Sequence, residues 1–282
     1  MDGLQIFGTI SALVPTILHV FGLILLLVSK FNYAEKTQRL YFMMLSFGEA
    51  IVSFYWVLLY NYDTSSQEVD VAFIIGLFGC MIMYEAMIFM TLDRFFSIFL
   101  NIKYPLYWKH GHTVKLVIVL TLVNSALCLT IWLTRVRKRY IELWFYLPFD
   151  ILFLITAIFT YTYIFVKMKQ NQRIKPTASL RQQEQSTTSS SNSNRANYQR
   201  SKKQSRQLLS VFLLVITFFM FAVMSDFCWF YILVTDQKIE IWHVVTMSTL
   251  YSISNTCDFF IYTFSTKPIK KTLRRLLKRS DR

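Results

Sequence analysis

Apolar residues in this chain gather into long, nearly unbroken runs separated by short polar or basic stretches. Seven runs stand out, near 10–28, 40–60, 71–98, 116–134, 144–166, 208–234 and 241–264. Each is close to or above the roughly 20 residues that cross a bilayer as a helix. The pattern predicts an all-α membrane fold, a seven-transmembrane helix bundle over 1–266. The seventh run is the most polar, rich in Ser and Thr. The first has no basic lead and no small-residue cleavage site, so it reads as a retained span. After the seventh, Pro268 to Arg279 carries apolar residues at 269, 273, 276 and 277, one face of a helix otherwise covered by Lys and Arg. Residues 267–282 therefore read as a basic amphipathic helix and tail lying along a leaflet.

Charge gives the runs a direction. With the N-terminus outside, 25 of the 30 Lys and Arg fall on inner segments, the asymmetry expected of a cytoplasmic face. One outer connection breaks the trend, with Arg135, Arg137, Lys138 and Arg139 between spans four and five. It reads either as an electropositive rim for an anionic ligand or as an anchor to headgroups. The first outer loop is acidic, with Asp63, Glu68 and Asp70. The third inner loop is the longest. Its middle, 182–205, is almost entirely Gln, Ser, Asn, Thr, Arg and Lys, which cannot bury enough apolar surface to order itself. Residues 170–205 are therefore expected to be disordered, as a plain linker or as a substrate for phosphorylation.

Composition agrees with the runs. Apolar residues make up 54% and charged residues 16%, too little polar surface for a soluble globule. A net charge of +14 would suggest nucleic acid in a soluble protein, but here the basic residues flank apolar runs and the bilayer accounts for them. Cys80, Cys128, Cys228 and Cys257 each lie inside a run with no CxxC pair, which argues against a disulfide framework or zinc site. His110-Gly111-His112 has metal-like spacing without a third ligand nearby. No Ser/His/Asp arrangement, phosphate loop or HExxH occurs, so no enzyme is expected.

The candidate chemistry sits inside and at the ends of the runs. Asp93 and Arg94 stand side by side where the third run meets water, and Lys103 to Trp108 follows as an interfacial anchor. Carboxylates within spans are costly and usually face the bundle interior. They are Glu49, Glu85, Asp150, Asp226 and Asp258.

Taken in order, these residues resemble the rhodopsin-like (class A) G-protein-coupled receptors. Leu92-Asp93-Arg94-Phe95 is similar to the Asp/Glu-Arg-Tyr signature at the inner end of span three, and Leu100 to Tyr104 falls where the family has a His-Pro-Leu-Arg/Lys-Tyr segment. Asp258-Phe259-Phe260-Ile261-Tyr262 matches the spacing of Asn/Asp-Pro-x-x-Tyr in span seven, ahead of the short surface helix. Leu45 to Glu49 resembles the Leu-x-x-x-Asp of span two, and Tyr161 to Ile164 resembles Tyr-x-x-Ile of span five. The resemblance implies a plasma-membrane receptor that passes the signal of an extracellular ligand to a heterotrimeric G protein. It also implies an Asp93–Arg94 switch with Tyr161 and Tyr262, and a sodium and water network at Glu49 and Asp258. Kinases and arrestin would meet the third inner loop.

Several positions depart from the family pattern. The outer start of span three and the second outer loop lack the cysteines of the family disulfide. Gly76 stands where amine receptors carry an Asp, and Ser252 where opsins carry the retinal lysine. Span seven has Phe259 in place of Pro, and Cys228-Trp229-Phe230-Tyr231 in span six lacks its proline. A register counted from the inner end aligns Val223, rather than Trp229, with the family's span-six Trp. The inner start of span six, Lys202 to Arg206, has no acid to lock Arg94, which predicts raised basal signalling. The ligand pocket is expected around Gly76, Cys80, Asp150, Asp226 and Trp229. The rival readings are a seven-helix transporter or channel, and a receptor-like scaffold that does not couple.

Overall fold

The computed structural model describes residues 3–32, 35–61, 71–99, 104, 109–135, 147–182, 209–235 and 240–280. Within them the side chains of 147–149, 168–182, 229, 233 and 278–280 are not described. The described chain is almost entirely helical and contains no strand. Its helices are α1 (Gly3–Val28), α2 (Lys36–Asn61), α3 (Val71–Phe99), α4 (His110–Thr134) and α5 (Leu147–Gln182). They continue as α6 (209–234), α7 (Ile241–Ser265) and α8 (Lys267–Ser280).

Among the described residues, six helices, α1 to α6, are long and apolar enough to cross a bilayer. The chain is an all-α membrane protein. The apolar runs predict seven spans, and α7 is the difference. At 25 residues it is long enough, but it spends much of its length on polar side chains and does not reach the hydropathy of the others. Those polar residues are turned inward: Ser248, Ser254, Asn255 and Asp258 are all buried against the other helices. The second difference lies in α5, which continues to Gln182, so the first part of the 170–205 segment expected to be disordered is helical. Residues 183–208 lie outside the described residues, as do Lys202 to Arg206, Arg137 to Arg139, and Asp63, Glu68 and Asp70.

The core is built on α2 and α3, which pass close enough for backbone to touch backbone. A methyl group at Gly48 would stand 2.8 Å from the Gly79 carbonyl oxygen and 2.9 Å from the Met83 nitrogen. Only the absence of a side chain allows that approach, the usual device where lipid gives helices no hydrophobic reason to associate. Helix α1 lies on the other side of α2 and also packs on α7. There Gly22 leaves room for Tyr262, whose hydroxyl oxygen would be 1.9 Å from an added methyl. Helix α4 is peripheral. It buries only Thr113, Val117 and Cys128, and most of its Leu and Val residues face outward, as suits a helix bathed in lipid. Its C-terminus stops at Arg135, which takes a left-handed φ of 49° and returns its N–H to the Trp132 carbonyl.

Helix α6 is not uniform. Phe218–Val223 forms a π-helical segment before the α-helix resumes at Met224–Val234. A π turn holds one residue more than an α turn and rotates everything beyond it, often at functional sites. Helix α8 follows α7 after Thr266, with Pro268 in its first turn, where a missing N–H costs nothing. Ile269 is fully buried, Leu273 packs on the core, and the Ser29 hydroxyl donates to Thr272 Oγ1 at 3.0 Å, tying α8 to the end of α1. Lys267, Lys270, Lys271, Arg274 and Arg275 line one open groove on its other face.

Candidate functional site

Polar and charged side chains meet at three places along the bundle. At the end where α3 stops and α8 lies, Asp93 is buried and its neighbour Arg94 is nearly so. Arg94 donates to one carboxylate oxygen of Asp93, and the Tyr104 hydroxyl donates to the other. Burial first, and then the Asp93 carboxylate beside it, push ionisation of the Tyr104 phenol well above its ordinary range. Tyr104 therefore remains a hydrogen-bond donor at any physiological pH. Tyr161 of α5 stands on the other side, its ring 5.2 Å from that of Phe212 and its hydroxyl facing Thr91 and Arg94. The rest of the anchor, Lys103 and Pro105 to Trp108, lies outside the described residues.

Tyr262 is elsewhere. Its hydroxyl accepts from Ser46 at 3.0 Å, and its ring stacks on Phe42. It belongs to the second cluster, deeper in the bundle, where α1, α2, α6 and α7 meet. His19 Nε2 lies 2.7 Å from the carbonyl of Asn255, so this nitrogen carries the hydrogen. His19 Nδ1 is then left 3.0 Å from Glu49 Oε2. That contact needs one proton, on an imidazolium facing a carboxylate or on a carboxyl facing a neutral ring. The Asn255 amide donates to Ser53 at 2.9 Å, and the Thr217 hydroxyl donates to Asp258 Oδ1 at 2.6 Å. Glu49 and Asp258 are both buried and face each other closely enough to share a hydrogen bond. Paired carboxylates supply hard oxygen ligands of the kind that suit a cation such as sodium. Among the described residues no group of three His, Cys, Asp or Glu side chains is placed to hold a metal.

The third cluster joins α3, α5, α6 and α7 towards the opposite end. Tyr84 donates to Asp150 Oδ1 and stands 3.4 Å from Asp226 Oδ2, and Tyr251 donates to Asp226 Oδ1. Cys80, one turn before Tyr84, lies beside both phenols. Four of the expected pocket residues thus divide: Cys80, Asp150 and Asp226 come together, and Gly76 does not. The space a side chain would take at Gly76 is filled by the Tyr55 ring, 2.6 Å from an added methyl. The fifth, Trp229, lies on α6 with its side chain outside the described residues. Glu85 points away from all three clusters and accepts from the Asn124 amide of α4 at 2.7 Å.

His19, Tyr84, Tyr104 and Tyr251 are members of these clusters that no sequence motif singles out. His19 had a usable signal, as the one ionisable side chain within the first apolar run, where such a residue marks a site by default. The tyrosines had none, since a phenol within a run looks the same whether it donates to a buried acid or meets a headgroup. No disulfide joins the four cysteines. A comparison with models of protein families finds no match, and a comparison with curated proteins finds no significant similarity.

Proposed function

We propose that this chain is a cell-surface receptor of the G-protein-coupled kind, with α7 as its seventh span. In this reading the N-terminus faces outward, and Arg94, Tyr104 and α8 face the cytoplasm. The observation that carries it is the Asp93–Arg94 pair at the end of α3, sealed by Tyr104, with Tyr161 waiting beside it. Arginine keeps its charge in any setting, so the pair is released by changing what surrounds it rather than by deprotonation. Ligand binding in the outer half would shift a two-state bundle, freeing Arg94 for the C-terminal segment of a heterotrimeric G protein.

The deeper cluster would couple the two halves. Thr217 stands just before the π segment of α6 and holds Asp258, while Asp226 stands just after it and holds Tyr251. Both ends of the π turn are thus pinned to α7, so movement of α6 must break one contact or the other. Glu49 and Asp258 would hold sodium or a proton, with His19 as the alternative positive partner of Glu49. If this network sets the resting state, Glu49→Gln will abolish the sodium and pH dependence of signalling. An unchanged dependence contradicts that role. A transporter is the second reading, favoured by two buried acid clusters at different depths. Ligand-evoked GTP exchange supports the receptor, and ion or solute flux without a G protein supports the transporter.

A further inference from the structure

Asp150 and Asp226 come from different helices, are enclosed by α3 and α7, and touch. Each already accepts the one hydrogen that a phenol can give, from Tyr84 and Tyr251 respectively. Asp150 Oδ2 is buried with no donor aimed at it. The groups facing the pair from the surrounding elements are Tyr84 and Cys80 of α3 and Tyr251 of α7, with the rings of Phe153 and Phe218 around Tyr84. None of these is a cation. Two carboxylates in contact in a water-poor setting, with no positive neighbour among the described residues, cannot both carry charge at bearable cost.

We propose that Asp150 and Asp226 bind one proton between them, forming a proton site that ties α5 and α6 to α3 and α7. The proton comes from solvent, adds to a carboxylate lone pair, and makes an O–H that donates to the other carboxylate. Losing it leaves two like charges in contact, and the α5–α6 contact opens. This site does not depend on G-protein coupling, and its test reads stability rather than signalling.

The test is thermal unfolding of the full chain, purified in detergent, over about pH 5 to 9, the range that brackets release of a shared carboxyl proton. The native pair holds a proton that unfolded carboxyls have already released, so stability falls as pH rises. The wild-type Tm is expected to drop by about 2–4 °C or more across the range. Asp226→Asn and Asp150→Asn supply an amide N–H in place of the shared O–H and leave no shared proton to lose, so their Tm falls less across the range than that of the wild type. Tyr251→Phe keeps the pair but removes a donor that favours the charged form. It should extend the fall to higher pH and so enlarge it, whereas a merely structural role would lower Tm equally at every pH. A flat wild-type profile overturns the proposal. So does an equal drop in either Asn variant, or a uniform loss in Tyr251→Phe.

Discussion

Individual side chains carry more of this molecule's organisation than its apolar composition suggests. Gly22 is one case. The Tyr262 hydroxyl occupies the volume where any side chain at 22 would begin. Gly22→Ala should lower stability by about 1–3 kcal/mol, the usual cost of overpacking. Tyr262→Phe removes the offending oxygen, so the double variant should regain part of the Tm lost by Gly22→Ala alone. Strict additivity in thermal unfolding would show that the two do not meet. Tyr104 is the second case. It gives Asp93 a neutral hydrogen bond that helps hold the Asp93–Arg94 pair closed. If that closed pair is the resting state, Tyr104→Phe should raise basal GTP exchange roughly tenfold or more, as loss of one hydrogen bond to a charged group predicts. Unchanged basal exchange would remove Tyr104 from the switch.

Among the helices, α2 and α3 form the frame, and their contact depends on backbone meeting backbone at Gly48 and Gly79. A flexible side chain can yield to an added methyl, but a carbonyl in a helix cannot without moving the helix. Gly48→Ala should therefore reduce folded yield and Tm markedly. Gly111→Ala is the matched control, since nothing lies within 4 Å of its added methyl. It should be neutral or slightly stabilising, because alanine favours a helix over glycine. Equal losses in the two variants would mean that the close crossing is not what holds the pair. Helix α6 works differently. Its π segment, Phe218–Val223, sets the rotation that brings Asp226 to Tyr251 while Thr217 stays on Asp258.

For the bundle as a whole, the first six spans and α8 were legible as runs and as a one-sided apolar pattern, because lipid demands apolar surface wherever a helix faces it. Helix α7 was harder, since it trades apolar surface for a polar face that only neighbours on α1, α2 and α6 can satisfy. The Asp93–Arg94 pair was readable because its members are adjacent in sequence. Glu49 and Asp258 were reached through motif spacing, but His19, which completes their cluster, is on a third helix and in no motif. The meeting of Asp150 and Asp226 is likewise a product of helix packing, and the π turn that enables it leaves no mark in hydrophobic periodicity. Gly76 was expected in a pocket because of its register. The structure fills that place with Tyr55, a cross-helix contact that register does not reveal.

In the receptor reading proposed above, Arg94 at the end of α3 is what this protein offers to a G protein. GTPγS exchange in membranes carrying the wild type, beside membranes carrying Arg94→Ala at equal surface density, tests it directly. Basal or extract-stimulated exchange above that of empty membranes, lost in Arg94→Ala, is the result predicted. Exchange no higher than in empty membranes for both proteins, with each folded at the surface, would contradict it and turn attention to flux.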